Sequence, residues 1–111
     1  KSKDMENLKI RGRIWLETES GLKIGVGRAR LLEQIHLLGS IAEAAKILKI
    51  PYRKAWGIVR DINANSSGAV VIKAAGGRSG GQSSLTDYGN LIVEKFKTAE
   101  ESFIKFSQEE I

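Results

Sequence analysis

Along residues 9–18, KIRGRIWLET, apolar and polar positions alternate. Ile10, Gly12, Ile14 and Leu16 share one face, and Arg11, Arg13, Trp15 and Glu17 share the other. A period of two predicts a half-buried strand. Turn chemistry follows in Glu19-Ser20-Gly21, and LKIGVG predicts a short second strand closing a hairpin. The period then changes. Leu31, Leu32, Ile35 and Leu38 recur at helical spacing, and Gly39 is a C-terminal stop. Ser40 and Glu43 form an S-x-x-E capping box at the head of SIAEAAKILKI, whose Ile41, Ala44, Ala45 and Leu48 line one face. The paired alanines are small enough for another helix to pack closely there.

Pro51 predicts the first residue of a third helix, where its missing N–H costs nothing. In PYRKAWGIVRDIN, Ala55, Ile58, Val59 and Ile62 form the inward face, while Tyr52, Arg53, Trp56, Gly57 and Arg60 lie largely off it. ANSSG ends that helix, AVVIKAA predicts a strand, GGRSGGQ a flexible tip, and SSL the returning strand. Thr86 can cap the last helix, with Asp87 in its first turn complementing the dipole. Ile92, Phe96, Ala99, Phe103 and Phe106 then recur at spacings of 4, 3, 4 and 3. The pattern predicts an N-terminal hairpin (6–27), a three-helix core (28–64), a wing (69–86) and a long C-terminal helix (86–110), all in one domain spanning 1–111. The fold class is α+β, mainly α: a winged helix-turn-helix with a long C-terminal dimerisation helix.

Composition narrows the chemistry. A chain of 111 residues with 41% hydrophobic and 28% charged residues can build one modest core. It has no cysteine, which excludes a disulfide scaffold and thiolate metal sites. No apolar run approaches the roughly 18 residues of a membrane span, and no secretory pattern is visible. A cytoplasmic protein without a membrane partner is expected. The net charge of +5 is regional: residues 46–79 carry seven cations against Asp61 alone, a net of +6, while residues 94–111 carry a net of −2. A basic middle favours a polyanionic partner; a solvated rim is the alternative.

In a helix-turn-helix, the second helix of the pair enters the DNA major groove with its N-terminal residues at base edges, and the first helix crosses the backbone. Here the first turn of the candidate recognition helix presents Tyr52, Arg53 and Lys54. An arginine bidentate to guanine contributes about 1–3 kcal/mol of discrimination. Arg60 is placed for phosphate, Lys46 and Lys49 for the backbone, and Lys73 and Arg78 belong to the wing. Trp56 stands between two roles, packing beside the turn or touching DNA. A rival reading of Gly76-x-x-x-x-Gly81 as a phosphate loop fails on chemistry: Gln82 stands where a lysine is required, and SSL intervenes before any helix. His36 is the only histidine, so no metal site is expected. Glu100 and Glu101 have no nucleophile or base beside them in any motif. No catalytic set, enzyme activity or cofactor is predicted. The phenylalanine seam exceeds what so short a chain can cover. A two-fold contact between copies through Ile92, Phe96, Ala99, Phe103 and Phe106 is expected, with simple core packing as the alternative.

Taken together, G-S-I-x-x-A-A, Y-[KR]-x-A-W, G-G-x-x-G-G and L-T-x-Y-G, over about residues 39–89, resemble the DNA-binding domain of the molybdate-responsive ModE family of transcriptional regulators. The helix-turn-helix part alone also resembles the LysR-type regulators. The ModE resemblance implies a winged-helix homodimer on double-stranded operator DNA. By position, it would put Ser40, Tyr52, Arg53, Lys54, Arg78 and Ser79 on the DNA face. Full-length members sense molybdate with C-terminal oxyanion-binding domains, and this chain ends just after the long helix, so molybdate is not expected to bind it. A winged-helix module that meets an acidic protein without binding DNA is the alternative function.

Overall fold

The structure, a computed structural model, describes residues 7–73 and 82–109. The element order is β1 (Leu16–Glu17), β2 (Lys23–Ile24), α1 (Val26–Leu38), α2 (Ile41–Leu48), α3 (Tyr52–Ala64), β3 (Val71–Lys73), β4 (Ser83–Leu85) and α4 (Asp87–Glu109). It is the expected α+β, mainly α arrangement: a helix-turn-helix followed by an antiparallel hairpin and a long terminal helix. The expected wing tip, with Arg78, Ser79 and the glycines of 76–81, lies outside the described residues.

The N-terminal hairpin is much shorter than the alternation predicts. Only Leu16 and Glu17 pair, opposite Ile24 and Lys23. A strand needs a partner, and β2 cannot lengthen because Gly25 already caps α1 and Val26 is helical. The expected second strand over 22–27 therefore yields its last residues to the helix. Gly25 carries no capping side chain, so this helix start left no polar signal in the sequence. Residues 7–15 have no ladder, although Ile14 still packs against the core. Gly21, at φ +105°, closes the turn by donating its N–H to the Thr18 carbonyl at 3.1 Å.

Helix ends follow the predicted caps more closely. Gly39 is left-handed at φ 71° and donates its N–H to the Ile35 carbonyl at 2.8 Å. The Ser40 hydroxyl accepts the Glu43 N–H at 3.1 Å, which is the forward half of the capping box. Thr86 caps α4 by accepting the Gly89 N–H at 3.0 Å.

One core joins all the elements. Leu31, Leu32 and Ile35 of α1 meet Ile41, Ala44 and Ala45 of α2 and Ala55, Val59 and Ile62 of α3. Leu22 and Ile24 enter from the first hairpin, Val70, Val71 and Leu85 from the second, and Ile92 and Phe96 from α4. Among the described residues, no buried side-chain nitrogen or oxygen lacks a hydrogen-bond partner.

Gly89 sets how closely α4 approaches the base of the second hairpin. A Cβ there would lie 2.4 Å from the Val70 carbonyl oxygen and 3.1 Å from the Leu85 Cβ. Backbone cannot swing aside as a side-chain tip can. Gly89→Ala is therefore expected to destabilise the fold by about 1–3 kcal/mol, the usual range for overpacking. Chemical denaturation checks this; an unchanged midpoint would mean that α4 can shift away freely.

Candidate nucleic-acid interface

The turn between α2 and α3 carries the first group of cations. Lys49 adopts φ 58° and is the only non-glycine residue with positive φ among the described residues. Its N–H reaches the Lys46 carbonyl at 3.2 Å, and the next N–H, of Ile50, reaches Ala45 at 2.9 Å, a closure in which glycine usually stands. Ile50 and Leu48 turn toward the core while Lys46 and Lys49 remain exposed.

Pro51 is the residue before α3 rather than its first member. It has φ −57° and ψ 140°, and its carbonyl accepts the Ala55 N–H at 3.0 Å. The pyrrolidine ring holds φ near the value the chain needs on entering the helix, but its side chain caps nothing. The first turn of α3 contains no acid. It presents Tyr52, Arg53 and Lys54, all exposed. Cations at the positive end of a helix are unfavourable by about 0.3–1 kcal/mol each, and the orphan N–H groups of the first turn have no side-chain cap. Both features weaken the helix and favour an approaching anion.

Trp56 joins α3 to the wing. Its ring meets Tyr52 edge-on, with centroids 6.4 Å apart and planes at 87°. The indole N–H donates to the Tyr52 hydroxyl. Lys73, at the end of β3, holds its Nζ 4.7 Å from the Trp56 ring centroid, within cation–π range. Half-buried against the core, Trp56 is a support that ties two candidate contact residues, Tyr52 and Lys73, together. Because the Tyr52 oxygen accepts from Trp56, its own proton remains free to donate outward.

Asn63 fixes the wing from below, a role the sequence reading missed. Its carboxamide oxygen accepts the N–H groups of Val70 at 2.8 Å and Val71 at 3.1 Å, and its nitrogen donates to the Val71 carbonyl at 2.9 Å. The one available signal was an Asn before the turn residues of 65–68. Such residues commonly bond nearby backbone, but their partner cannot be read from the chain alone. Asp61, the one acid of α3, is also accounted for, since Arg28 of α1 donates to it at 2.7 Å.

The remaining site residues divide. Arg60 is exposed two turns after Arg53 on the same side of α3, and Lys73 is exposed on β3. Among the described residues, none of Lys46, Lys49, Arg53, Lys54, Arg60 or Lys73 forms an ion pair, whereas Lys23, Arg28 and Arg30 do. Ser40 sits at the far end of α2 from Lys49, with its hydroxyl engaged as the cap. It lies beside the wing, because the adjoining Gly39 carbonyl accepts the Ser83 N–H at 2.8 Å. His36 is exposed, and the described residues contain no cluster of three groups able to hold a metal ion.

The seam on α4 needs correction. Ile92 and Phe96 are 6% and 1% exposed and belong to this chain's own core, so a partner cannot reach them. The middle of α4 lies over α1, where Arg30 donates to both Glu100 carboxylate oxygens at 3.1 Å. Ala99 and Phe103 are half-buried, and Phe106 is 50% exposed. The sequence revealed a long apolar seam but not that α1 covers its beginning.

This geometry is a helix-turn-helix followed by an antiparallel hairpin and a long terminal helix. No protein-family model matches the chain. It is 40% identical over 88 residues to the molybdenum transport protein ModE of Azotobacter vinelandii, covering 79% of this chain and 33% of that protein. It is 39% identical over 69 residues to the transcriptional regulator ModE of Yersinia pestis, and 38% identical over 69 residues to the DNA-binding transcriptional dual regulator ModE of Escherichia coli K12. Each of those two matches covers 62% of this chain and 26% of the relative. In the part it shares with these proteins, the chain is similar to the ModE regulators. The chain spans about a third or less of the length of the curated relatives it matches.

Asn63→Ala is expected to leave two backbone N–H groups and a carbonyl without partners and to lower stability by about 1–3 kcal/mol. Hydrogen exchange should show the greatest loss of protection at Val70 and Val71. Uniform loss along the chain would mean that the side chain does not hold the wing locally.

Proposed function

We propose that this chain binds double-stranded DNA in a sequence-specific manner as a transcription regulator, acting as a homodimer. The observation that carries the reading is the N-terminal end of α3. Its helix start is uncapped and acid-free, and the surrounding cations of α2, α3 and β3 form no ion pairs among the described residues. A solvated rim has no need to gather unpaired cations at the positive end of a helix. A phosphate backbone answers both features.

In this reading α3 lies in the major groove. Arg53 and Lys54 face base edges, Tyr52 donates its hydroxyl proton to a phosphate, and Arg60 holds a phosphate farther along. Lys46 and Lys49 meet the backbone from α2 and the turn, and Ser40 meets it from the other end of α2. The wing contributes Lys73, with Arg78 and Ser79 at its tip. The Escherichia coli relative is DNA-binding by name, which supports the partner. No role for molybdate is assigned to these residues.

The second copy meets this one along the end of α4. Phe106 and Ile104 are 50% and 48% exposed there. Beside them runs a groove of about 550 Å³ whose lining includes Gly12, Trp15, Val26, Phe103 and Ile104. An apolar helix end continuing into an apolar groove suits a self-complementary, two-fold contact. Such a dimer would present two copies of α3 to two half-sites.

Binding to the chain's own promoter region, measured against a scrambled duplex over a salt series, tests the reading. Log affinity should fall with log salt at a slope of about −0.9 per phosphate neutralised. Arg53→Ala should cost about 1–3 kcal/mol on the preferred sequence and relax preference there, whereas Lys46→Ala should weaken every sequence alike. Equal, salt-insensitive affinity for both duplexes would sink the proposal. Retention of an acidic protein with no duplex shift would favour the protein-interaction alternative.

Sedimentation of Phe106→Glu addresses the dimer separately. The exposed ring supports little of the chain's own core, so the variant should fold and sediment as a monomer. A dimer of unchanged mass would discard this seam.

A further inference from the structure

Gly57 occupies the interior of α3, four residues after Arg53 and three before Arg60. Glycine there costs about 0.5–1 kcal/mol relative to alanine. Its neighbours show why other glycines in this chain are required. Gly21 and Gly39 have positive φ. A Cβ on Gly12 would press on the Phe103 ring at 2.9 Å, one on Gly25 on the Trp15 ring at 2.8 Å, and one on Gly89 on the Val70 carbonyl at 2.4 Å. Gly57 has ordinary helical φ, and a Cβ added to it would meet nothing within 4 Å. Gly27 and Gly68 also face open space, but Gly27 is in the first turn of α1 and Gly68 is in a loop. Among the described residues, Gly57 is the one glycine inside a helix with no internal reason to be there.

Its position supplies an external reason. Ala55, Val59 and Ile62 define the buried side of α3. At 3.6 residues per turn, Arg53, Gly57 and Arg60 fall on one line along the opposite side. Both arginines are exposed and form no ion pair among the described residues. The helix is thus bare of side chain midway between two free guanidiniums, at the point farthest from its own core.

We infer that Gly57 is the point of closest approach between α3 and the floor of the DNA major groove, and that position 57 determines sequence specificity by setting how deeply the helix seats. This rests on the DNA-binding reading above and extends it to a residue with no hydrogen-bonding side chain. Base edges carry bulk, such as the thymine methyl group, into the groove. Without a Cβ, the backbone of α3 can lie against such an edge while Arg53 reaches a base and Arg60 a phosphate. A Cβ would lift the helix and lengthen both contacts together.

The test uses a duplex selected from a randomised library by the parent chain, with a scrambled duplex of the same length as control. The Gly57→Ala variant should melt at a higher temperature than the parent, bind the selected duplex at least tenfold more weakly, and lose less affinity for the scrambled duplex than for the selected one. Reselection with the variant should return altered base pairs between those facing Arg53 and Arg60. A lower melting temperature would show that the chain's own packing needs the glycine and would overturn the inference. Unchanged affinity and preference would overturn it while leaving the DNA-binding reading intact. A parent chain that selects no duplex at all would remove both.

Discussion

The peptide groups around Val70 are held from both sides, and the placement of the whole interface depends on that grip. From α3, the Asn63 carboxamide takes the Val70 N–H at 2.8 Å and spans both polar groups of Val71. From the other side, the Thr86 N–H reaches the Val70 carbonyl at 3.0 Å, and its hydroxyl donates to Ala69 at 2.7 Å. Gly89 leaves room for that same carbonyl. The Val70 side chain is fully buried. One short backbone segment therefore sets the wing against both α3 and α4. Moving any of the three would leave buried polar backbone unpaired, which costs more than a single hydrogen bond contributes.

Local rules of helix stability are followed at α2 and α4 and broken around α3. Helices α2 and α4 have serine and threonine caps, and α4 has Asp87 in its first turn. Helix α3 has no side-chain cap, cations in its first turn and an exposed glycine in its interior, and it follows a left-handed lysine. Helix α1 also starts without a side-chain cap or an acid, but only around α3 do such departures join an exposed interior glycine and a left-handed lysine. Clustered departures of this kind mark the places where a sequence serves something other than its own folding.

Most of this architecture was legible because helix periodicity, caps and turn residues agree. Ser40, Gly39 and Thr86 marked helix boundaries that the structure repeats. Alternation in 9–18 misled because it specifies faces without specifying a partner, and only Leu16 and Glu17 found one. The start of α1 was missed because Gly25 caps by conformation alone. On α4, periodicity identified an apolar seam correctly but could not say whether α1 or a second chain covers it. Asn63 and Gly89 act on backbone distant in sequence, and no local pattern encodes such a partner. For the candidate site, the cations of 46–60 were readable from charge and helix phase, whereas the bond from Trp56 to Tyr52 and the stacking of Lys73 required the fold.

Charge pairing separates the functional reading from the bland one more sharply than net charge does. Two acids are engaged from α1: Asp61 of α3 by Arg28 at 2.7 Å and Glu100 of α4 by Arg30 at 3.1 Å. Both partners come from α1, behind the presented face of α3. Pairing at the back neutralises the only acid on α3 and leaves the cations in front uncompensated among the described residues. A randomly solvated surface would intersperse the two signs, since like charges held together raise the energy of the compact state. The segregation keeps the front positive while Trp56 holds Tyr52 and Lys73 in fixed relation to it. Charge and geometry are thus fixed by different residues, Arg28 for the first and Trp56 with Asn63 for the second, and both converge on the exposed side of α3.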